Sequence, residues 1–372
     1  MRILQLGKFY PLKGGVEKVI YALAEGLSER GVDCDAMFAS KDGHTDDIQL
    51  NDHCHIYVCR TILEAKATMI APTMVTTLVQ IRDRYDIIHV HHPDPMAALA
   101  LYSSGFKGRV VLHWHCDIIR QNKLLRLYRA LQSWLIRRAD VIVGTSPVYL
   151  RESEALKEVQ HKCRCIPIGI YETNAHADLV AAIRQRYADK HIVFSLGRLV
   201  LYKGYEYLIE AARLLPDNYV ILIGGTGYQH KHLTSLIEAQ GLHDKVKLLG
   251  FIADEELGSY FQASTVFALP SIDKREAFAI VQAKAMQHAL PVVSTDIPGS
   301  GVPWVNLNGV SGITVPPCDS HALARAIQDI CSDEETHGRF SRQSRQRYEQ
   351  LFRMEDMISA CQQLYQEIET SR

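Results

Sequence analysis

The chain has 372 residues, of which 47% are hydrophobic and 22% are charged, and its formal net charge is −1. At about 150 residues per domain, this length predicts two to three domains of a soluble globular protein. The balanced charge argues against a dedicated nucleic-acid-binding protein, which carries a clear basic excess.

The sequence predicts neither a membrane-spanning segment nor a disulfide framework. No stretch approaches the roughly 18 apolar residues of a membrane span, and the N-terminus lacks the apolar core and cleavage site of a signal peptide. The nine cysteines are an odd number at irregular spacing, which is typical of free thiols, and Cys163 and Cys165 have no second pair nearby that would suggest zinc. We therefore expect a cytoplasmic enzyme.

In the first half of the chain, short β-branched runs alternate with amphipathic helical runs. The clearest predicted helix is Val16–Arg30, which has apolar residues at helical spacing and Gly31 as its stop signal. The predicted strands are Arg2–Leu6, Cys34–Ala39, His55–Arg60, Ile87–His91, Val110–Trp114 and Val141–Gly144. Such alternation predicts a parallel sheet with helices on both faces.

The pattern restarts after the turn-rich junction that begins at Pro167. Predicted helices are Tyr205–Leu215, Gln229–Gln240 and Met354–Gln366, and predicted strands are Ile192–Leu196, Tyr219–Ile223, Val246–Leu249, Val266–Leu269 and Pro291–Ser294. We predict an α/β protein with two doubly wound domains, residues 1–168 and 169–350, and a C-terminal helix within 351–372 that can cross back to the first domain. Ligands of such sheets bind at the carboxyl ends of the strands, so the expected site is a cleft between the domains.

Two glycine-bearing loops are candidates for phosphate binding. Arg198 and Lys203 follow a predicted strand and precede a helix, where the helix dipole, free N–H groups and cationic side chains all favour an anion. The alternative is a pair of solvated surface cations. Gly14 and Gly15 precede the first helix and would let backbone N–H groups approach a ligand closely, or they form a plain strand-to-helix turn. The turn at 224–227 is not a Gly-x-Gly-x-x-Gly motif and does not support NAD binding.

Several histidines end neighbouring predicted strands. His113 and His115 lie two residues apart on one strand and point the same way, so they could ligate a metal, but no third ligand has suitable spacing. His115 fits better as a hydrogen-bond donor that lines the cleft. For His89, His91 and His92, we favour satisfied core or rim positions.

Glu276 stands at the mouth of a predicted apolar helix. An acidic residue in a first helical turn is common and mildly stabilising, and the same carboxylate could bind sugar hydroxyls. Beside it, the backbone N–H groups of Phe278, Ala279 and Ile280 could hold a phosphate.

Together these motifs resemble the retaining GT-B glycosyltransferases of family 4. The resemblance runs over roughly residues 1–350 and rests on four motifs in chain order: Gly-Gly-x-Glu, Trp-His-x-Asp, Gly-Arg-Leu-x-x-x-Lys-Gly and Glu-Ala-Phe-x-x-Val-Gln. Among its members, the chain is similar to bacterial sugar transferases of surface polysaccharide (O-antigen) assembly, including mannosyltransferases that use GDP-mannose.

The resemblance implies a role for each matching residue. Arg198 and Lys203 would neutralise the donor diphosphate, with Gly14 and Gly15 near it, and Glu276 and His115 would contact the transferred sugar as the catalytic residues. The nucleotide base would lie at Phe251 and Ile252. The family needs no metal and no cofactor, because the cations act on the leaving group.

One position departs from the family's Glu-x7-Glu motif, because its second glutamate is Lys284 here. A carboxylate accepts hydrogen bonds from the nucleotide ribose, whereas an ammonium only donates. A helix between Glu276 and Lys284 would separate them by about 12 Å at 1.5 Å per residue. Lys284 therefore raises one alternative to transfer, a non-catalytic binding protein. A second alternative is an isomerase similar to the sugar-nucleotide 2-epimerases, which share the two-domain architecture.

Residues 119–138 form a basic amphipathic segment that contains Trp134. Such a helix fits a surface that lies on anionic lipid, or it is an ordinary domain helix with solvated arginines. The first alternative suits a lipid-linked saccharide acceptor at the inner face of the cytoplasmic membrane. It would also place the protein beside other polysaccharide-assembly enzymes, and neither alternative involves nucleic acid.

Overall fold

The structure is a computed structural model that describes the chain except for residues 13, 66–67, 119–122 and 371–372, and except for the side chains at 65 and 123–127. The chain divides into two compact units. Residues 1–169 and 354–372 form the first unit, and residues 170–353 form the second.

The first unit is built on a parallel sheet that carries one antiparallel edge. Its strands are β1 (Arg2–Tyr10), β2 (Asp33–Ser40), β3 (Asp46–Asn51), β4 (Cys54–Cys59), β7 (Ile87–His92), β8 (Arg109–Trp114), β9 (Val141–Gly144) and β10 (Cys163–Cys165), and β5 (Leu63–Ala65) and β6 (Thr68–Ile70) form a separate hairpin. The strand order is β10-β9-β8-β7-β1-β2-β4-β3, in which β3 pairs antiparallel with β4. Every residue of the central strand β7 is buried, as expected for a parallel sheet covered on both faces.

Helices follow the strands in the alternation that the sequence predicts. They are α1 (Gly15–Ser28), α2 (Pro72–Ile81), α3 (Pro95–Ser104), α4 (Lys123–Arg138) and α5 (Pro147–Glu152). The start of α3 shows how local chemistry sets these bounds, because the Asp94 side chain accepts hydrogen bonds from the N–H groups of Met96 and Ala97. Gly105 ends that helix in the left-handed conformation at φ 63°.

The second unit, whose residues are all described, contains a six-stranded parallel sheet. Its strands are β11 (His191–Leu196), β12 (Tyr219–Gly224), β13 (Val246–Gly250), β14 (Val266–Leu269), β15 (Val292–Thr295) and β16 (Gly312–Val315), in the order β13-β12-β11-β14-β15-β16. Its helices are α6 (Ala177–Arg186), α7 (Tyr205–Leu214), α8 (His230–Ala239), α9 (Asp254–Ala263), α10 (Ile280–Gln287), α11 (Val302–Val305), α12 (Ser320–Cys331) and α13 (Glu334–Leu351).

The last helix, α14 (Met354–Thr370), belongs to the first unit. It packs against α1, where the absence of a side chain on Gly26 makes room for Ile358. The N–H of Gly169 contacts Met357 Sδ at 3.3 Å, and Tyr365 is fully buried on the sheet. The first unit therefore combines residues 1–169 with the C-terminal helix α14.

The predicted α/β class is confirmed, with two Rossmann-like parallel sheets. The predicted strands exist with small differences in their bounds. One difference is in β1, which continues past Leu6 to Tyr10 through an irregularity at Gly7 and Lys8. Among the described residues, no helix is long and apolar enough to cross a membrane.

Candidate functional site

A buried ion pair lies where two strands of the second unit end. Lys203 follows β11 on a short 3₁₀ turn, and Glu276 follows β14. Lys203 Nζ lies 2.5 Å from Glu276 Oε2, and each side chain is only 10% exposed. The structure therefore brings together two predicted residues, the phosphate-binding lysine and the sugar-binding glutamate.

Gly204 makes this approach possible. Its φ is 64°, and a Cβ there would lie 2.2 Å from the carbonyl oxygen of Pro270, which directly follows β14. Any other residue would combine a left-handed backbone with a collision. The glycine thus holds the turn that carries Lys203 against the end of the neighbouring strand.

Hydroxyl groups fix the position of Glu276. Ser271 Oγ donates to Glu276 Oε2 at 3.0 Å, and Ser300 Oγ donates to the Glu276 carbonyl. Glu276 lies outside a regular helix, because α10 begins only at Ile280. The predicted continuous helix from Glu276 to Lys284 is therefore wrong, and the helical rise does not give the separation of the two residues.

Arg198 is the exposed cation of this loop. Its Nη2 donates to Tyr202 Oη at 3.2 Å, and no carboxylate lies within ion-pair distance of it among the described residues. Tyr202 also lies beneath the Arg275 guanidinium, 4.9 Å from the ring centroid. Sequence reasoning missed Tyr202, although its position between Arg198 and Lys203 was a usable signal.

The backbone before α10 offers amide donors beside Glu276. In the part of the chain that the structure describes, the N–H groups of Phe278, Ala279 and Ile280 have no acceptor. Ala279 adopts φ 61° and ψ 68°, a conformation that side chains disfavour. The Phe278 ring packs edge-on against Phe352, so only its amide is available to a ligand.

Of the two residues predicted to hold a nucleotide base, only one presents its side chain. Phe251 is 79% exposed after β13, whereas Ile252 is 7% exposed and packs over Gly224. Ile252 therefore supports the loop, and Phe251 is the available ring. Tyr228, at 69% exposure, is a second exposed ring of the same unit, and sequence reasoning missed it.

Lys284 lies half-buried in the last turn of α10. Burial lowers the pKa of the neighbouring His288 to about 4, with smaller contributions from the charge of Arg345 and then from that of Lys284. His288 Nε2 lies 3.0 Å from Thr173 Oγ1, so this side of α10 is packed against the chain that enters the second unit.

In the first unit, Gly14 and Gly15 stand at the N-terminus of α1. A Cβ on Gly14 would lie 2.1 Å from Glu17 Oε2, so the glycine makes room for this buried carboxylate. Gly15 is exposed at the first residue of the helix. The two glycines therefore allow α1 to begin here, and they leave the backbone at its first residue exposed.

His115 follows β8 and belongs to a stack of buried imidazoles. His89, His91, His113 and His115, which we call the histidine stack, have neighbouring ring centroids 4.0–5.3 Å apart. Burial lowers the pKa of all four rings, to about 3 for His113. His92 is also fully buried, but it stacks on Trp114 at 3.7 Å outside this group.

The stack contains a group of three potential metal ligands that differs from the predicted pair, because it includes His113 but not His115. Nitrogens of His89, His91 and His113 lie within 4.8 Å of one another. The three ring planes, however, are within 10–25° of parallel. Lone pairs of parallel rings do not converge on one ion, so this arrangement disfavours tetrahedral coordination.

The structure describes the basic segment 119–138 only in part, because residues 119–122 and the side chains at 123–127 lie outside the described set. Tyr128, Leu135 and Ile136 are buried, and Arg138 is paired with Asp140. Arg129 and Arg137 are exposed. Trp134 is half-buried and contacts Tyr102, which is 57% exposed.

Two family models match the chain. "Glycosyltransferase Family 4" matches residues 13–173, and "Glycosyl transferases group 1" matches residues 179–347. Over 98% of both chains, the sequence is 34% identical to O-antigen chain mannosyltransferase C of Escherichia coli. The chain belongs to the group 1 glycosyl transferases of family 4. It is an enzyme of the glycosyltransferase class, and the predicted family is confirmed.

Other relatives support the same family and fold. D-rhamnosyltransferase WbpZ of Pseudomonas aeruginosa is 29% identical over 95% of this chain and 92% of its own. Among solved structures, sucrose-phosphate synthase from Thermosynechococcus elongatus matches 100% of both chains with a TM-score of 0.81 at 22% identity. Anabaena Alr3699/HepE, solved in complex with UDP, matches 99% of this chain and 100% of its own with a TM-score of 0.78 at 21% identity. The solved structures establish the GT-B fold.

Proposed function

We propose that this glycosyltransferase moves a hexose, with mannose from GDP-mannose as the first candidate, onto a growing lipid-linked saccharide of a surface polysaccharide. The E. coli O-antigen chain mannosyltransferase, with its end-to-end match, supports this choice of donor sugar and acceptor. The structural observation that carries the proposal is the buried contact of Lys203 with Glu276.

A donor bound at this contact would have a cation beside its leaving group and a carboxylate beside its sugar. An ammonium has three N–H donors, and Glu276 occupies one of them. A diphosphate could take another, so Lys203 would bridge the leaving group and the carboxylate that orients the sugar. Arg198 and the free amides of 278–280 would hold the remaining phosphate oxygens.

We propose a retaining, metal-independent reaction on this site. The bond between the anomeric carbon and the diphosphate oxygen breaks, and the acceptor hydroxyl attacks from the same face while its proton passes to the leaving phosphate oxygen. Lys203 and Arg198 stabilise the charge that develops on the diphosphate, which is the work a metal ion does in other enzymes. Glu276 offsets the positive charge that develops on the sugar, and His115 forms a hydrogen bond with the sugar.

A thermal-shift screen tests the donor. We expect GDP and GDP-mannose to raise the melting temperature more than UDP-glucose or ADP-glucose, because a ligand at a hundredfold its Kd adds about 2.7 kcal/mol to the native state. Arg198→Ala and Lys203→Ala should each reduce the shift, and the exposed Lys231→Ala serves as the control. Unchanged shifts in both site variants would reject the phosphate site.

Transfer itself is tested with Glu276→Gln. We expect a 10²- to 10³-fold loss of kcat with retained GDP binding, since the change removes one preorganised charge. Glu349→Gln, a partly exposed glutamate of the same unit, is the matched control. If the wild-type enzyme instead epimerises the nucleotide sugar in the absence of acceptor, the protein is an isomerase. If it binds the nucleotide sugar without turnover, the departure at Lys284 has produced a binding protein.

Peripheral membrane contact through 119–138 is part of the proposal. Arg129 and Arg137 supply exposed positive charge on α4, and Tyr102 supplies an exposed ring beside Trp134. We expect co-sedimentation with vesicles that contain anionic lipid and little with neutral vesicles. The double variant Arg129→Glu/Arg137→Glu should lose binding by about tenfold or more, at about 1 kcal/mol per charge. Lys157→Glu, elsewhere on the first unit, should retain it.

A further inference from the structure

A hydrogen-bonded chain of side chains runs through the core of the first unit and ends at His115. Its members lie on β1, β7, just after β8, and on α14, and each is at most 5% exposed. They are Gln5, His89, His91, His115 and Tyr365.

The distances define the chain. Tyr365 Oη lies 2.6 Å from His89 Nδ1 and 3.1 Å from Gln5 Nε2. Gln5 Oε1 lies 2.9 Å from His91 Nε2, and His91 Nδ1 lies 2.9 Å from His115 Nε2. Four residues therefore connect the C-terminal helix to His115 through continuous hydrogen bonds: Tyr365, Gln5, His91 and His115.

The donors in this chain determine where the protons lie. Gln5 Nε2 donates to Tyr365 Oη and to Cys34 Sγ, which leaves Oε1 as the acceptor for the Nε2–H of His91. A neutral imidazole carries one proton, so His91 Nδ1 is an acceptor. His115 must then donate through Nε2–H, and its Nδ1 carries a lone pair.

That lone pair is unoccupied within the described residues. His115 Nδ1 is buried and has no hydrogen-bond partner there. Burial and the nearby charge of Lys8 lower the pKa of His115, so the ring remains neutral at pH 7. A buried acceptor without a donor is costly unless a ligand supplies the donor.

We propose that Tyr365 and Gln5 are positioning residues that act through His91 to hold His115 in the Nε2–H tautomer, so that its Nδ1 accepts a hydrogen bond from a hydroxyl of the bound sugar. This rests on the proposed transfer of a sugar. It changes the expected role of His115 from hydrogen-bond donor to acceptor toward the substrate. It also assigns a function to α14, the helix that returns from the end of the chain.

The Tyr365 hydroxyl determines which atom donates and which accepts in each hydrogen bond from Gln5 to His115. Without its hydroxyl, one N–H of Gln5 loses its acceptor, and the amide can rotate so that Nε2 faces His91. His91 would then accept at Nε2 and donate from Nδ1, and His115 would carry its proton on Nδ1. We expect this reversal of the His115 tautomer to lower activity by tenfold to a hundredfold.

The first test is spectroscopic and needs no substrate. The protein is labelled with ¹⁵N-histidine, and the ring nitrogens of His115 are assigned by comparison with His115→Asn. We expect a protonated Nε2 and a bare Nδ1 in the wild-type protein, and the reversed or a mixed tautomer in Tyr365→Phe. A wild-type His115 protonated on Nδ1, or an unchanged tautomer in the variant, would overturn the proposal.

The second test is kinetic. Tyr365→Phe should lower kcat by tenfold to a hundredfold while the Kd for GDP stays unchanged, since the nucleotide is assigned to residues of the second unit. Tyr348→Phe, which removes another buried hydroxyl, is the matched control and should keep full activity. Should Tyr365→Phe fail to fold, the wild-type tautomer still decides. If no nucleotide sugar is turned over by the wild type, the proposed function fails while the tautomer assignment is tested separately.

Discussion

At the scale of single residues, the second unit concentrates its unusual chemistry in one ion pair. Lys203 and Glu276 are both nearly buried, and Ser271 supplies a further hydrogen bond to the carboxylate. Taking two charges out of water costs several kcal/mol per ion, and only close pairing offsets this. A pair of this kind contributes little to stability compared with apolar residues. We therefore infer that the pair serves donor binding and catalysis.

This balance predicts the effect of removing one or both charges. Lys203→Met should lower the free energy of unfolding by about 3 kcal/mol, because it leaves the Glu276 carboxylate buried and unpaired. The double variant Lys203→Met/Glu276→Leu should recover most of that loss while remaining inactive. Urea unfolding of both single variants, the double variant and the wild type completes the cycle. A double variant no more stable than the single ones would show that the pair itself stabilises the fold.

At the scale of elements, α10 ends in a motif that lacks its usual glycine. Leu290 N–H donates to the Ala285 carbonyl and Ala289 N–H to that of Met286, which is the Schellman pattern. Ala289 takes the left-handed position of this motif with φ 55°. The Cβ of Ala289 makes this left-handed conformation energetically unfavourable, whereas glycine adopts it readily.

We therefore expect Ala289→Gly to raise stability by about 1 kcal/mol. Ala283→Gly, in the interior of the same helix, should lower stability by a similar amount, because there the flexible residue gains nothing in return. Differential scanning calorimetry of the two variants measures both signs. An equal loss of stability in both would mean that the motif is not strained at Ala289.

Periodicity predicted some elements well, but two long helices, α12 and α13, were not predicted from the sequence. Helix α1 and the buried strand β7 carry strong patterns of apolar residues, and both form close to their expected bounds. Strand β10 has only three residues, and in β16 only the two end residues are buried, so neither carries the apolar run of the predicted strands. The edge strand β3 is largely exposed, so burial left no alternation to detect.

The candidate site was predictable where a local motif carries it. Arg198, Lys203 and Glu276 follow strands, and they were singled out from that position, from their charge and from the family's motifs. The chain from Tyr365 to His115 was not, because Gln5 and Tyr365 are separated by 360 positions and meet only through folding. No local signal distinguishes a buried tyrosine in a helix from one that orients a distant histidine.

At the scale of the whole molecule, the first unit holds five fully or nearly fully buried histidines. They are His89, His91, His92, His113 and His115. Burial lowers the pKa of each, to about 3 for His92 and His113. The unfolded chain binds protons below pH 6.5, whereas the native state excludes them, so stability is present above that pH and is lost as the pH falls.

Each such histidine should cost about 1 kcal/mol per pH unit below 6.5, or roughly 5 kcal/mol for all five at pH 5.5. That is comparable to the total stability of a domain, so we expect the first unit to unfold near pH 5. Urea midpoints between pH 7.5 and 5.5 measure the slope. His113→Leu should reduce it by about one proton, since neither ring nitrogen of His113 has a partner among the described residues. The exposed His232→Gln should leave it unchanged.

The return of α14 to the first unit also sets the order in which the chain can be completed during synthesis. Residues 170–353 are continuous, so the second unit has every residue it needs once position 353 has left the ribosome. The first unit begins earlier but lacks its closing helix until residues 354–370 emerge. Until then, the groove that receives Ile358 and the polar end of Gln5 remain uncovered. Of the two units, the one whose synthesis begins earlier is therefore the one that is completed later.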